Sequence, residues 1–279
     1  MSRIIHVAHS PDSDDAFMFY ALAENLLDTG DLTFVHELQD IETLNRRAMA
    51  ADLEVTAVSI HAYAYLADRY ALLPHGASMG EGYGPRLVAR EPLTAADVAG
   101  RRVAVPGELT SAFLALKLFQ PDVTTEVVPF DRISDHVASG RADLGVLIHE
   151  GQLTYGAEGL HLVTDLGVWW AQETGGLPLP LGGNVIRRDL GDELIRRVSR
   201  LLRESISYGL AHRAPALAHA RHYGRGIDDE QTDEFVGMYV NQRTLDYGPD
   251  GRRAVQLFLD RGFDAGIIPQ RVKVDFVED

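Results

Sequence analysis

The sequence predicts an α/β protein built from two similar lobes, and three observations support this class. Short apolar runs typical of strands alternate with longer segments whose apolar residues have helical spacing. The order strand, helix, strand, helix, strand occurs twice, over residues 4–59 and again over residues 101–148. The chain has 279 residues, which is more than one ordinary domain, so two lobes of roughly 100–150 residues each are expected.

The first unit begins with an apolar strand followed by a polar turn, Ser10 to Asp15. Asp and Ser ahead of a helix accept its free N–H groups and lie favourably at the positive end of its dipole. We therefore expect strands at residues 4–9, 32–37 and 55–59, with helices at residues 16–27 and 41–51. A βαβαβ order implies a parallel sheet with right-handed crossovers.

The second unit repeats this order further along the chain. Its expected strands are residues 101–105, 126–130 and 144–148, and its expected helices are residues 110–120 and 132–139. Residue identity between the two units is too low to indicate a duplication. The shared element order is what predicts a second, similar lobe.

Two extended segments are candidates for crossings between the lobes. Residues 76–90 contain Gly80, Gly82 and Gly84, and residues 177–186 contain two prolines that exclude a helix. Four helices are expected after the second crossing, at residues 189–212, 215–223, 229–241 and 251–261. The expected division is a discontinuous lobe I of residues 1–88 plus 187–279, a lobe II of residues 89–186, and a ligand cleft between them that closes by hinge motion.

The amino-acid composition restricts which partners and cofactors the protein can bind. The chain carries 26 Lys and Arg against 41 Asp and Glu, a net charge of −15, and this charge repels nucleic acid and anionic membranes. It has no cysteine, which excludes disulfides, thiolate nucleophiles and cysteine-based zinc sites. Residues 1–3 lead directly into the first strand, and no apolar run approaches the roughly 20 residues that a membrane span needs. We therefore expect a cytoplasmic protein that binds a small molecule and does not insert into a membrane, while its oligomeric state stays open.

The strongest candidate for chemistry is a histidine at the end of a strand. Residues 144–148 form an uncharged run that is followed by His149. In an open α/β sheet the ligand lies just beyond the carboxyl ends of the strands, so His149 is a candidate general base. The alternative is a histidine that only hydrogen-bonds a neighbouring loop.

Hydroxyl groups also follow predicted strands. Thr110 and Ser111 lie where a strand passes into a helix, and free N–H groups at a helix start can hold a carboxylate or phosphate. The alternative there is an ordinary helix cap. Ser10 and Asp14 lie at the end of the first strand, where they could touch a ligand. The surrounding acidic turn lacks the alternating oxygen spacing of a calcium loop, so capping is expected and a metal is not.

Other motifs point away from a cofactor. The glycines of residues 80–84 do not join a strand directly to a helix and lack the spacing of a dinucleotide-binding loop. The 11 histidines form no convincing zinc motif, and no Gly-x-Ser-x-Gly sequence is present. Trp169 and Trp170 could give a planar substrate an aromatic face; in an extended segment only one of them would point into the cleft, and core burial is the alternative.

Several phrases of the chain, taken together, resemble one known family. They are His9-Ser10-Pro11, Asp40-Ile41-Glu42-Thr43-Leu44-Asn45, Gly82-Tyr83-Gly84-Pro85, Val103-Ala104-Val105-Pro106-Gly107, Leu147-Ile148-His149-Glu150, and Thr174-Gly175-Gly176-Leu177-Pro178-Leu179-Pro180. In this order and at these separations they are similar to the 1,4-dihydroxy-6-naphthoate synthases of the futalosine route to menaquinone. The resemblance extends from Ile5 to about Leu259.

The resemblance implies a two-lobed, periplasmic-binding-protein-like (type II) fold used as a cytoplasmic enzyme without a cofactor. It implies a lyase that cleaves cyclic dehypoxanthinyl futalosine to 1,4-dihydroxy-6-naphthoate and dihydroxyacetone, with the family's proposed base at His149. The ligand contacts it implies are Thr56, Ala57, Val58 and Ser59 at one strand end and Thr110, Ser111 and Ala112 at one helix start. A neutral histidine with a pKa near the ordinary value of about 6.5 suits proton abstraction at neutral pH.

One difference from the family pattern concerns the acidic turn. Where members carry Ser-Pro-Cys-Pro-Asn-Asp, this chain has Ser10-Pro11-Asp12-Ser13-Asp14-Asp15, so Asp14 replaces a neutral amide.

Two other functions fit the same architecture. A chorismate dehydratase is expected to lack a histidine at this strand end, and a non-catalytic solute-binding protein is expected to carry an export signal or a lipid-anchored cysteine.

Overall fold

A computed structural model describes residues 2–278 of the chain and arranges them as two mixed β-sheets flanked by helices, which confirms the predicted α/β class. The strands are β1 Arg3–His9, β2 Leu32–Leu38, β3 Val55–Ser59, β4 Tyr70–Leu72, β5 Ser78–Gly80, β6 Arg86–Ala89, β7 Arg102–Val105, β8 Thr124–Val127, β9 Leu144–Leu147, β10 His161–Asp165 and β11 Leu179–Arg187. The helices are α1 Ser13–Ala23, α2 Ile41–Ala50, α3 Ile60–Tyr63, α4 Ser111–Phe119, α5 Ile133–Ala138, α6 Gly151–Thr154, α7 Leu166–Thr174, α8 Asp192–Ala211, α9 Arg213–Ala220, α10 Asp229–Tyr239, α11 Gln242–Leu245 and α12 Gly248–Asp264. Among residues 2–278, no helix is both long and apolar enough to cross a lipid bilayer.

The first sheet has the strand order β2-β1-β3-β11-β4, and β5 pairs with β11. Strand β1 is parallel to β2 and β3, whereas β11 runs antiparallel to its neighbours. Ile5 and Val7 of β1 are fully buried and belong to one apolar cluster with Phe17 of α1 and Val198 of α8. Burying a side chain of this size contributes about 1.5–3 kcal/mol, so the C-terminal helices brace the first sheet.

The second sheet has the order β10-β6-β9-β7-β8. Here β7 is parallel to β8 and β9, and β6 is antiparallel to β9 and β10. Gly145 of β9 allows helix α5 to lie close, because a Cβ there would be 2.6 Å from the side chain of Ile133. The orders β2-β1-β3 and β8-β7-β9 are equivalent, so the two βαβαβ units found in the sequence form equivalent parts of the two sheets.

The strands place the two crossings earlier in the chain than the sequence suggested. Strand β6 pairs in the second sheet although most of it was assigned to lobe I, and β11 pairs in the first sheet although most of it was assigned to lobe II. The boundaries at residues 88 and 186 therefore move to the segments 81–85 and 166–178, which separate strands of different sheets. The reason is physical: the extended runs that looked like linkers are themselves paired strands. The division into a discontinuous lobe I and a continuous lobe II remains a proposal with these shifted crossings.

Candidate active site

A cleft lies where strands of both sheets end. Its empty space is about 730 Å³, including its open mouth. The chain leaves β1 and β3 of the first sheet and β7 and β9 of the second sheet at this cleft, as expected for a ligand site at the carboxyl ends of parallel strands. Its polar lining is Ser10, Asp12, Asp14, Asp15, Ser59, Ser78, Thr110, Ser111, His149, Gln152, Asn184 and Tyr239.

His149 lines this cleft in an unusual backbone conformation. Its φ angle is 53°, in the left-handed region that residues other than glycine rarely adopt. Gln152 holds the main chain there: in the amide orientation that satisfies its partners, it accepts the N–H of His149 at 3.3 Å and donates to the carbonyl of Gly84 at 2.7 Å. Phe130 meets the imidazole edge-on, with 5.0 Å between ring centroids. The ring is therefore fixed by its surroundings at the edge of the cleft.

The imidazole of His149 pairs with the carboxylate of Asp12, across the gap between the two sheets. Nδ1 of His149 lies 2.9 Å from Oδ2 of Asp12, and the Asp12 side chain is only 2% exposed. Asp12 follows β1 of the first sheet, whereas His149 follows β9 of the second. Because the carboxylate holds a proton on Nδ1, a neutral His149 keeps its free lone pair on Nε2.

The pair changes the acidity of both groups. Burial would lower the pKa of His149, but the charge of Asp12 and their hydrogen bond outweigh burial and raise it above its ordinary value. Burial would raise the pKa of Asp12, but His149 holds it below its usual range. The expectation of a histidine with an unperturbed pKa was therefore wrong, because the sequence did not reveal its buried acidic partner.

The acidic turn has a second role besides capping. Asp12 caps α1 by accepting the N–H of Asp15 at 3.4 Å, as expected, and Asp15 accepts the N–H of Ser10 at 2.7 Å. Burial and the charge of Asp12 raise the pKa of Asp14 and of Asp15 well above the usual range. Oxygens of the three acids lie within 4.8 Å of one another, a spacing that a cation could bridge. However, His149 and the Ser10 N–H already bind two of them, and we assign no metal.

Three of the four residues expected to contact a ligand at the end of β3 line the cleft. Ala57, Val58 and Ser59 line the cleft, and Ser59 exchanges two hydrogen bonds with Asn45, at 2.8 and 3.0 Å. Thr56 does not line the cleft. It is fully buried, and its hydroxyl donates to the carbonyl of Ala57 at 3.0 Å. We therefore do not retain Thr56 as a ligand contact.

The start of α4 lies against the cleft, but its hydroxyl groups are already bonded. Thr110 accepts the N–H of Phe113 at 3.1 Å, so it is the ordinary helix cap. The hydroxyl of Ser111 donates to the carbonyl of Leu181 at 2.6 Å. Since the first N–H groups of a helix lack partners within the helix, the main-chain N–H groups of Ser111 and Ala112 are the donors that α4 offers to a ligand.

The two lobes contact each other beside the cleft. Glu42 of α2 accepts the N–H of Leu109 at 3.3 Å. Gly107 permits this approach, because a Cβ at that position would lie 2.3 Å from the Glu42 carboxylate. These contacts and the Asp12–His149 pair bring residues of both sheets together around the ligand space.

The two tryptophans do not give the cleft the aromatic face expected of them. Trp169 and Trp170 lie in helix α7, not in an extended segment, and neither lines the cleft. Trp170 is fully buried and donates its indole N–H to the carbonyl of Pro178 at 3.0 Å. Core burial was therefore the correct alternative for Trp170.

Several lining residues were not found from the sequence. Gln152 follows the His149 strand, Asn184 lies on β11, and Phe235 and Tyr239 lie on α10. The last three are distant in the chain and belong to no motif, so only the fold brings them to the cleft. Asp12 had a usable signal, because it lies in the acidic turn that the sequence assigned to capping.

The fold and the site define a class: a two-lobed α/β protein with a cleft between its two sheets. Among solved structures, an alkanesulfonate-binding protein from Xanthomonas axonopodis pv. citri has the same fold, with a TM-score of 0.73 at 14% identity over 98% of this chain and 97% of that chain. A protein from Archaeoglobus fulgidus is more similar, with a TM-score of 0.91 at 45% identity over 95% of this chain and 98% of that chain.

The family within this class follows from sequence comparison. A family model described as menaquinone biosynthesis matches residues 5–264, and the chain belongs to this family. It is 43% identical to a 1,4-dihydroxy-6-naphthoate synthase from Thermus thermophilus over 90% of this chain and 91% of the relative. It is 35% identical to a synthase of the same name from Streptomyces coelicolor over 95% of both chains. These findings confirm the resemblance seen in the sequence.

Proposed function

We propose that the chain is a carbon–carbon lyase that converts cyclic dehypoxanthinyl futalosine to 1,4-dihydroxy-6-naphthoate and dihydroxyacetone. The family and the two synthases of that name support this reaction. The structural observation that carries the proposal is the Asp12–His149 pair at a cleft between two sheets. A pure binding protein has no need of a buried acid that orients a histidine toward its ligand.

In the proposed mechanism, neutral His149 acts as the general base. Nε2 removes a proton from the bound substrate, which starts carbon–carbon cleavage and aromatisation of the bicyclic product. Asp12 keeps Nδ1 protonated and stabilises the imidazolium that forms, so the pair acts as one unit. Contact between the lobes excludes water from the reactive intermediate.

Substrate binding in this proposal uses the lining of both lobes. The N–H groups of Ser111 and Ala112 hold the carboxylate of the substrate or a developing negative charge. Thr110 positions this helix start as its cap. The other proposed contacts are Ser10, Asp14, Ala57, Val58 and Ser59, all of which line the cleft.

The test is direct incubation of the purified protein with cyclic dehypoxanthinyl futalosine and, separately, with chorismate, with products measured by mass spectrometry. The proposal predicts 1,4-dihydroxy-6-naphthoate from the first substrate and no product from chorismate. Dehydration of chorismate would favour the dehydratase instead. Tight binding of a ligand with no product from either substrate would favour a solute-binding protein.

We also propose that the protein acts in the cytoplasm, supported by its 43% and 35% identity to two biosynthetic synthases, whereas it is only 14% identical to the alkanesulfonate-binding protein. The partner we propose is the small-molecule substrate alone. Fractionation of cells with an antibody to the native protein tests the location, and recovery outside the cytoplasmic fraction would contradict it.

A further inference from the structure

Asp14 is a buried acid to which the proposed function gives a substrate contact but no chemical role. Its side chain is 7% exposed, and it lines the cleft beside the Asp12–His149 pair. One of its oxygens, Oδ1, has no hydrogen-bond partner within residues 2–278. A buried carboxylate oxygen that no N–H or O–H group reaches is costly as an anion, which favours a protonated Asp14.

The charges around Asp14 disfavour its ionised form. The titratable groups that interact with it are Asp12 and Asp15 on its own turn, Glu150 after β9, and Tyr239 on α10. Asp12 already pairs with His149. No second cation among the described residues forms an ion pair with Asp14, whereas three acids lie close to it.

The helix dipole is the one feature that favours an anion here, because Asp14 lies in the first turn of α1. Asp12 and Asp15 share this position, and only Asp12 pairs with a basic side chain. Burial, the charges of Asp12 and Asp15 and a hydrogen bond to Asp12 oppose the helix dipole and raise the pKa of Asp14. A carboxylic acid in such a site stays neutral, and its O–H bonds to Asp12 until a ligand offers another acceptor.

We propose that Asp14 is a neutral carboxylic acid that, when substrate binds, turns its O–H from Asp12 to the substrate oxygen on which negative charge builds as His149 removes a proton. The hydrogen bond forms without transfer of the proton. Asp14 therefore donates a hydrogen bond as an amide N–H would, although it is an acidic residue. This role rests on the proposed lyase reaction and adds to it a second substrate-contacting group, supplied by the lobe opposite His149.

Two substitutions separate this role from a charged one. Asp14→Asn keeps a neutral donor of the same shape, whereas Asp14→Leu removes the donor at similar size. We expect kcat/KM of Asp14→Asn to stay within about tenfold of the native value and that of Asp14→Leu to fall by about a hundredfold or more, the loss typical of one donor to a developing oxyanion. Thermal unfolding of both variants, followed by circular dichroism, checks that each is folded.

The pH dependence gives a second readout. The native enzyme should lose kcat/KM at high pH as Asp14 ionises, because the donor becomes an acceptor and adds a negative charge. Asp14→Asn should lack this alkaline decline, since an amide does not ionise. Equal activity of all three proteins, or an inactive but folded Asp14→Asn, would overturn the inference. If Asp14→Asn is folded but inactive and the activity of the native enzyme depends on added Mg²⁺, Asp14 would instead be a charged metal ligand.

A measurement without substrate separates this inference from the proposed function. Infrared difference spectra at neutral pH should show the carbonyl band of a protonated carboxyl in the native protein that is missing in Asp14→Asn. Asp143→Asn is the matched control, because hydrogen bonds to Arg102 lower the pKa of Asp143 and keep it ionised. Absence of the Asp14 band would overturn the inference even in an active lyase. Presence of the band in a protein that does not cleave the substrate would contradict the proposed function and leave the neutral acid standing.

Discussion

Replacing Asp12 by Asn should weaken His149 as a base while substrate still binds in the cleft. At 2.9 Å the Asp12 carboxylate and a protonated His149 attract each other by about 6 kcal/mol at an effective dielectric constant of about 20. The cost of burying both charges offsets much of this energy. The amide oxygen of Asn can still accept a hydrogen bond from Nδ1–H but carries no charge to stabilise the imidazolium. We expect kcat to fall by about 10²–10⁴-fold, the usual size of a general-base contribution.

The pH profile of kcat/KM shows in which direction Asp12 shifts the pKa of His149. Only neutral His149 can take a proton, and Asp12 raises its pKa, so native activity should rise with pH through a value above the ordinary 6.5 of histidine. In Asp12→Asn burial remains while the attraction is lost, so the acidic limb should move to lower pH as the plateau falls.

A matched control lies outside the cleft. Glu24→Gln removes the acid that lies 3.1 Å from His219, a second histidine–acid pair, and should leave both the plateau and the limb unchanged. A native plateau and an unmoved limb in Asp12→Asn would refute the reasoning, because His149 would then act without Asp12.

Two further predictions concern stability and closure. His9, His61 and His75 are buried, and burial lowers the pKa of each to about 4. The unfolded chain binds protons at these histidines below about pH 6.5, so the free energy of unfolding should decrease as pH falls from 6.5 toward 4, by up to about 3 kcal/mol per histidine. Urea unfolding at several pH values measures this. A free energy of unfolding that stays constant over that range would contradict the prediction. Gly107→Ala should raise KM, because the added Cβ would lie 2.3 Å from the Glu42 carboxylate and hinder contact between the lobes. Steady-state kinetics test this, and Gly156→Ala, where an added Cβ meets no atom within 4 Å, is the control that should keep the native KM.

Local sequence patterns were sufficient for most of the framework. Apolar runs and helix-start residues located both βαβαβ units, since alternation and capping depend on neighbours in the chain. His149 could be selected because a polar residue that ends a buried strand must lie at the edge of the sheet. The same logic placed Thr110 at the cleft, whereas Ser59 was named from the resemblance to the family. These are features whose cause lies within a few residues.

Features that depend on distant contacts were not predictable in the same way. The partner of His149 is Asp12, more than a hundred residues away, and the acidity of both groups follows from that contact. Tyr239 and Asn184 reach the cleft only because α10 and β11 pack there. Trp170 was placed in an extended segment because its helix is short and its apolar residues show no clear period.

The central claim, that His149 is the base, is tested most directly by a single-turnover measurement on His149→Asn with cyclic dehypoxanthinyl futalosine. Asn is the suitable replacement because it tolerates the left-handed backbone that His149 adopts, at a φ of 53°. We predict that calorimetry will show substrate affinity within a few-fold of native, while formation of 1,4-dihydroxy-6-naphthoate falls by about 10²–10⁴-fold. Product formation at a near-native rate would contradict the account.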